Sequence, residues 1–138
     1  MNDFFAEIQE LFGLFYIQGL SDELYNNEIY FTLCISLFIT TFIWIAIYYF
    51  GLRSPKWGTL SKWLIWILIG SALNFSVSFL IAYNSIAEIY LNIPADLPYS
   101  YNQFIALGLS NFISSLLLSV LYSSILKWKS INSSKIPF

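Results

Sequence analysis

Residues 29–52 read IYFTLCISLFITTFIWIAIYYFGL, a run without Asp, Glu, Lys, Arg or Pro. At about 1.5 Å of rise per residue, a helix of this length crosses the roughly 30 Å hydrocarbon core of a bilayer. No water is present there to satisfy the backbone amides, so an isolated apolar run of this kind is stable only as a helix. Two further runs, 63–83 and 104–126, have the same character. The sequence therefore predicts an all-α integral membrane protein with three transmembrane helices, 29–52, 63–83 and 104–126. An amphipathic segment, 1–28, precedes this domain (29–126), and a short tail, 127–138, follows it.

The composition agrees with that reading. Of 138 residues, 58% are hydrophobic and only 10% charged, whereas a soluble domain carries about 25% charged residues. There is no His, which excludes His-ligated haem, His-dependent zinc sites and Ser-His-Asp chemistry. The single cysteine, Cys34, lies in the first span, so no disulfide forms within the chain, and it reads as a small buried hydrophobe. No nucleophile–base pair, metal-ligand set or phosphate-cradling glycine loop is present, so the chain is predicted to have no catalytic residues, no cofactor and no metal. No span contains Asp, Glu, Lys, Arg or His, whose presence within a membrane is the usual mark of proton relays and ion pathways. Six scattered basic residues make no stripe for nucleic acid.

Charge is segregated by sign. The basic residues Arg53, Lys56, Lys62, Lys127, Lys129 and Lys135 follow the first and third spans. The acids Asp3, Glu7, Glu10, Asp22, Glu23, Glu28, Glu88 and Asp96 fall in the N-terminal segment and after the second span. Three spans place these two groups on opposite sides, and short basic loops stay on the cytoplasmic side. The predicted topology is N-terminus outside and C-terminus inside. Taking the host as a bacterium, the expected location is its inner membrane. Trp57, Trp63, Trp66 and Trp128 fall near the inner boundary, and Tyr25, Tyr30, Tyr83, Tyr90, Tyr99 and Tyr101 near the outer one.

In residues 2–16, Phe4, Ile8, Leu11 and Phe15 recur at helical spacing, with Asp3, Glu7 and Glu10 on another face. Gly13 weakens this helix near its end. The segment lacks the basic start and small-residue cleavage site of a signal peptide. Its apolar face is expected to rest on the membrane or to dock on another protein. Gly19-Leu20-Ser21 reads as a turn in which Ser21 caps a short helix running through Asn26 and Asn27 into the first span. Pro55 ends the first span, and the short loop after it makes a helical hairpin with the second. In the loop 84–102, Ser85 and Glu88 have capping-box spacing and predict a short helix over 86–91 before Pro94 and Pro98 turn the chain. Apolar residues such as Tyr90 and Tyr99 place this loop on the membrane surface or against a partner.

Each span carries small or polar residues four apart. The rows are Thr32, Ser36 and Thr40; Gly70, Asn74, Ser78 and Ala82; and Asn111, Ser115, Ser119 and Ser123, with Gly108 extending the last. Such rows let helix backbones approach and bond, within one bundle or between subunits. Alternatively, the third row lines a narrow polar path in an oligomer. Asn74 and Asn111 lie at similar depths and are expected to bond to each other. No motif identifies a family. The expected function is that of a non-enzymatic accessory or assembly subunit that anchors or braces a larger membrane complex, such as a secretion or envelope machine. The main alternative is a small homo-oligomeric channel, holin or membrane-permeabilising effector, and a weaker one is a transporter or flippase subunit. The expected partners are membrane lipids and other membrane subunits or copies of itself, without nucleic acid.

Overall fold

A computed structural model describes residues 2–11, 13–51, 59–91 and 98–127. Arg53, Lys56, Lys129 and Lys135 lie outside the described residues, as do Phe12, Pro55, Trp57, Pro94, Asp96 and Trp128. The described residues form helices joined by turns: α1 (Asn2–Gln9), α2 (Leu20–Asn26), α3 (Ile29–Ala46), α4 (Leu60–Tyr90) and α5 (Tyr101–Leu126). A π-helical turn, Ile47–Gly51, continues α3. Three helices are long and apolar enough to cross a membrane: Ile29–Gly51, Leu60–Tyr90 and Tyr101–Leu126, of 23, 31 and 26 residues.

The polarity of the bundle is inverted relative to a water-soluble protein. Ile35, Ile39, Phe42, Leu64, Leu117 and Leu121 are exposed, while Asn74, Ser78, Asn111, Ser115 and Ser119 are buried. Hydrocarbon solvates Leu and Ile as well as a core does, so close backbone approach and hydrogen bonds decide what faces inward.

The three long helices run up, down and up. Thr40 of α3 bonds Asn74 of α4, and Trp44 bonds Trp66, so these helices are antiparallel. Tyr83 of α4 stacks on Tyr101 of α5 at 5.8 Å, while Trp63 bonds Ser123. Parallel α3 and α5 meet at Thr41 and Ser115, and again where Phe42 lies edge-on to Tyr122. One end of the bundle carries α1, α2 and Glu88, hence every described acid. Lys62 and Lys127 mark the other end.

Several boundaries depart from the pattern reading. The helix α4 runs unbroken to Tyr90, absorbing the short helix expected over 86–91. Nothing between Tyr83 and Ile86 breaks a helix, and Ile86 is buried against Leu20, Leu24 and Leu33. The next helix, α5, begins at Tyr101, where Gln103 Oε1 accepts the Ser100 backbone amide at 2.9 Å. Gly19, at φ 86°, stands before α2 in place of Ser21, whose hydroxyl instead accepts the Ile17 amide at 3.0 Å. Glu28, at φ 57°, separates α2 from α3. The π-helical turn lets adjacent Tyr48 and Tyr49 both bury, against Ile45, Trp63 and Ile67.

The first helix stops at Gln9, well short of Tyr16. Leu11 and Gly13 have φ of 48° and 85°, and the Phe15 amide closes the turn on the Glu10 carbonyl at 2.9 Å. Residues 2–19 thus form a hook, and α1 lies against α3 and α5.

Candidate functional site

Two polar clusters lie inside the bundle. The first centres on Asn74, halfway along α4. Its Nδ2 donates towards Ser115 Oγ at 2.9 Å, Thr41 Oγ1 at 3.1 Å and its own helix at the Gly70 carbonyl, 3.2 Å. Its Oδ1 accepts from the Thr40 hydroxyl, and its carbonyl accepts from Ser78 at 2.7 Å. One side chain therefore ties three helices together. Measured polar contacts in membrane proteins average about 0.6 kcal/mol each, so Asn74→Ala is expected to cost about 2 kcal/mol through three lost interhelical bonds. Unfolding of the purified protein by a denaturing detergent measures this. A loss below a few tenths would show that the cluster does not hold the helices.

The second cluster lies nearer the acidic end and is made by the hook. Gln9 is 1% exposed. Its Nε2 donates to Cys34 Sγ at 3.4 Å, its Oε1 accepts from Asn111 Nδ2 at 2.5 Å, and its carbonyl accepts from the Ser110 hydroxyl. Cys34 Sγ in turn reaches the Phe5 carbonyl at 3.5 Å. Beside it, buried Glu10 accepts from the Tyr30 hydroxyl at 2.5 Å.

Asn74 and Asn111 do not bond to each other. Helical rise predicts their depth, but not the rotation of each helix. The α4–α5 register sets Asn74 against Ser115, one turn further along α5, and Gln9 meets Asn111 instead. The predicted rows divide in the same way. Gly70, Asn74, Ser78 and Ala82 are buried on α4, and Gly108, Asn111, Ser115, Ser119 and Ser123 on α5. On α3, Thr32 is exposed and Ser36 and Thr40 are half-buried. Its buried row runs one residue over, through Leu33, Leu37, Thr41 and Ile45.

Tyrosine hydroxyls cap the carboxylates of the acidic end. Tyr25 donates to Asp3 at 2.6 Å and Tyr16 to Asp22 at 2.9 Å, while Tyr90 donates to Glu23. The hydrogen bond to Asp22 raises the Tyr16 phenol above its ordinary value, and the bond to Asp3 does the same for Tyr25. Burial, then the Glu23 carboxylate, pushes Tyr99 up to about 12. These phenols remain protonated donors near neutral pH.

Of the predicted contact residues, Phe4 is exposed, and Ile8, Leu11, Phe15, Tyr90 and Tyr99 are half-buried. Among the described topology determinants, Lys62 and Lys127 are half-buried at the basic end. No group of His, Cys, Asp or Glu able to hold a metal occurs among the described residues. Pattern reading missed Gln9 and Glu10 because it assigns polar residues of an amphipathic segment to water, and Thr41 because it follows the row through Thr40; Tyr30, read as a boundary tyrosine, is buried and bonded to Glu10. The one available signal was Gly13, which marks where the chain turns back.

Comparison with known proteins finds no matching family model, curated protein or solved structure.

Proposed function

We propose that the chain is a non-enzymatic accessory subunit that braces a larger membrane assembly, such as a secretion or envelope machine. It would sit in a bacterial inner membrane with its N-terminus outside and its C-terminus inside. The observation that supports this over a pore is the fate of the polar row on α5. Asn111, Ser115 and Ser123 bond to Gln9, Asn74 and Trp63 within the chain. A pore lining must face an open axis, and these groups face their own bundle. What remains for neighbours is an acidic end bearing exposed Phe4, Leu14 and Tyr16.

Gentle-detergent purification of the tagged protein from its native host tests the role. Distinct larger subunits at fixed ratio are expected, together with no ion flux from the pure protein in liposomes. A pure homo-oligomer that conducts would replace this reading with the channel. Topology is tested separately: a C-terminal fluorescent reporter should be active on the cytoplasmic side, and a periplasm-dependent enzyme fused there should be silent.

A further inference from the structure

The seam between α3 and α4 on the lipid-facing side holds two depressions of opposite character. The first, of about 270 Å³, is lined by Thr40, Ile43 and Trp44 of α3 and Gly70, Leu73 and Val77 of α4, with Asn74 at its back. Its polar groups are engaged within the bundle: the Thr40 hydroxyl is shared between the Ser36 carbonyl and Asn74 Oδ1, and the Asn74 amide bonds Thr41 and Ser115. What this slot offers an occupant is hydrocarbon. The second, of about 450 Å³, lies at the acidic end of the same seam, where Asn27, Thr32, Ser85 and Glu88 supply amide, hydroxyl and carboxylate groups. Ser36 stands between the two on α3.

The dimensions match one leaflet. From Thr32 to Ile43 the helical rise is about 16 Å, close to half of the 30 Å hydrocarbon core. Lys62 and Glu88 lie about 39 Å apart along α4, close to a bilayer's thickness with its headgroups. On that alignment Glu88 would stand at headgroup level and the slot would reach the midplane.

We infer that this seam binds a phospholipid with an amine headgroup, its acyl chain in the slot and its ammonium against Glu88. Charge selects the headgroup. No basic residue is described at this end, and the sequence places all six elsewhere. An anionic headgroup would meet Glu88 with no cation among the described residues to offset it. An ethanolamine headgroup brings its own cation, and the Thr32 and Ser85 hydroxyls can donate to its phosphate. The inference rests on the membrane-spanning helices alone and stands apart from the bracing role.

The test uses delipidated protein reconstituted in vesicles of equal parts phosphatidylethanolamine and phosphatidylglycerol, then re-extracted for native mass spectrometry. The protein should retain the ethanolamine lipid about five-fold over the glycerol lipid, the scale of one exposed charge contact. Glu88→Gln should bring that ratio towards one, and Leu73→Trp, which fills the slot from an exposed position, should remove both lipids. Equal or greater retention of the glycerol lipid by the wild-type chain overturns the inference. So does retention indifferent to both substitutions, or a lipid-free dimer that Leu73→Trp dissociates, which would assign the seam to a second copy. The wild-type ratio decides even if a variant misfolds.

Discussion

Gln9→Lys exposes Cys34 to a water-soluble maleimide. In the wild-type chain the thiol is 0% exposed and stays unlabelled, covered by a hook whose deepest residue is Gln9. Gln9 is both donor and acceptor there, to Cys34 and from Asn111. Lysine is a donor only, so its ammonium would be buried against the Asn111 amide and the Cys34 thiol, while the neighbouring Glu10 carboxylate is already engaged by Tyr30. An uncompensated buried charge costs about 3–5 kcal/mol. The other ties of the hook are the Tyr25–Asp3 and Tyr30–Glu10 hydrogen bonds and the packing of Phe5 and Ala6 against the core. The hook should swing out, and labelling should rise at least about a hundred-fold if some 3 kcal/mol of closure is lost. Gln9→Met, of similar length and uncharged, should label at an intermediate rate because Asn111 loses its acceptor. If Cys34 stays protected in Gln9→Lys yet labels after denaturation, the hook is not held by these bonds.

The second large effect is expected at Gly70. A Cβ built there would overlap Trp44 Cδ1 and stand 2.6 Å from Trp44 Nε1. Trp44 borders the open slot, but it is tied where it stands. It stacks on Trp66 at 4.4 Å and 16°, and each indole donates to the other's backbone carbonyl, at 2.9 and 3.0 Å. Moving it sacrifices the stack and both bonds. Overpacking alone costs about 1–3 kcal/mol, so Gly70→Val should destabilise the bundle by about 3 kcal/mol or more. Detergent-denaturation curves read by tryptophan fluorescence measure this. Trp44→Ala in the same chain should recover part of the loss, making the pair non-additive. Gly108→Ala is the informative contrast. Its Cβ would stand 2.8 and 2.9 Å from the ring of Phe75, which has no polar group to tie it in place. A similar cost at both glycines would contradict the special role of the tryptophan pair.

The long helices were legible because length and apolar composition suffice to recognise them, and 29–52 could be read on sight. Rotation about each helix axis was less legible. On α3, the rows through Thr32 and through Leu33 share one spacing, and Leu suits lipid as well as core, so hydropathy does not choose between them. Polar spacing was informative on α4 and α5, where Asn and Ser line the buried faces. The Asn74–Asn111 pairing failed because depth follows from counting residues, whereas azimuth follows from the packed register. The hook was illegible for another reason. The Gln9–Glu10 dipeptide has the signature of a wetted face, and only the positive φ of Leu11 and Gly13 turns it into the bundle.

The hook's partners set a timetable for assembly. Ser110 and Asn111 lie 101 and 102 residues after Gln9. Synthesis begins at the N-terminus, so Gln9 is made long before the helix that accommodates it. It therefore waits, its amide solvated by water or headgroups, until the third span has entered the bilayer and docked. Residues made before the spans are among the last to be seated. Closure of the hook then reports that the entire bundle has been inserted, and a chain truncated before α5 would carry its N-terminus undocked.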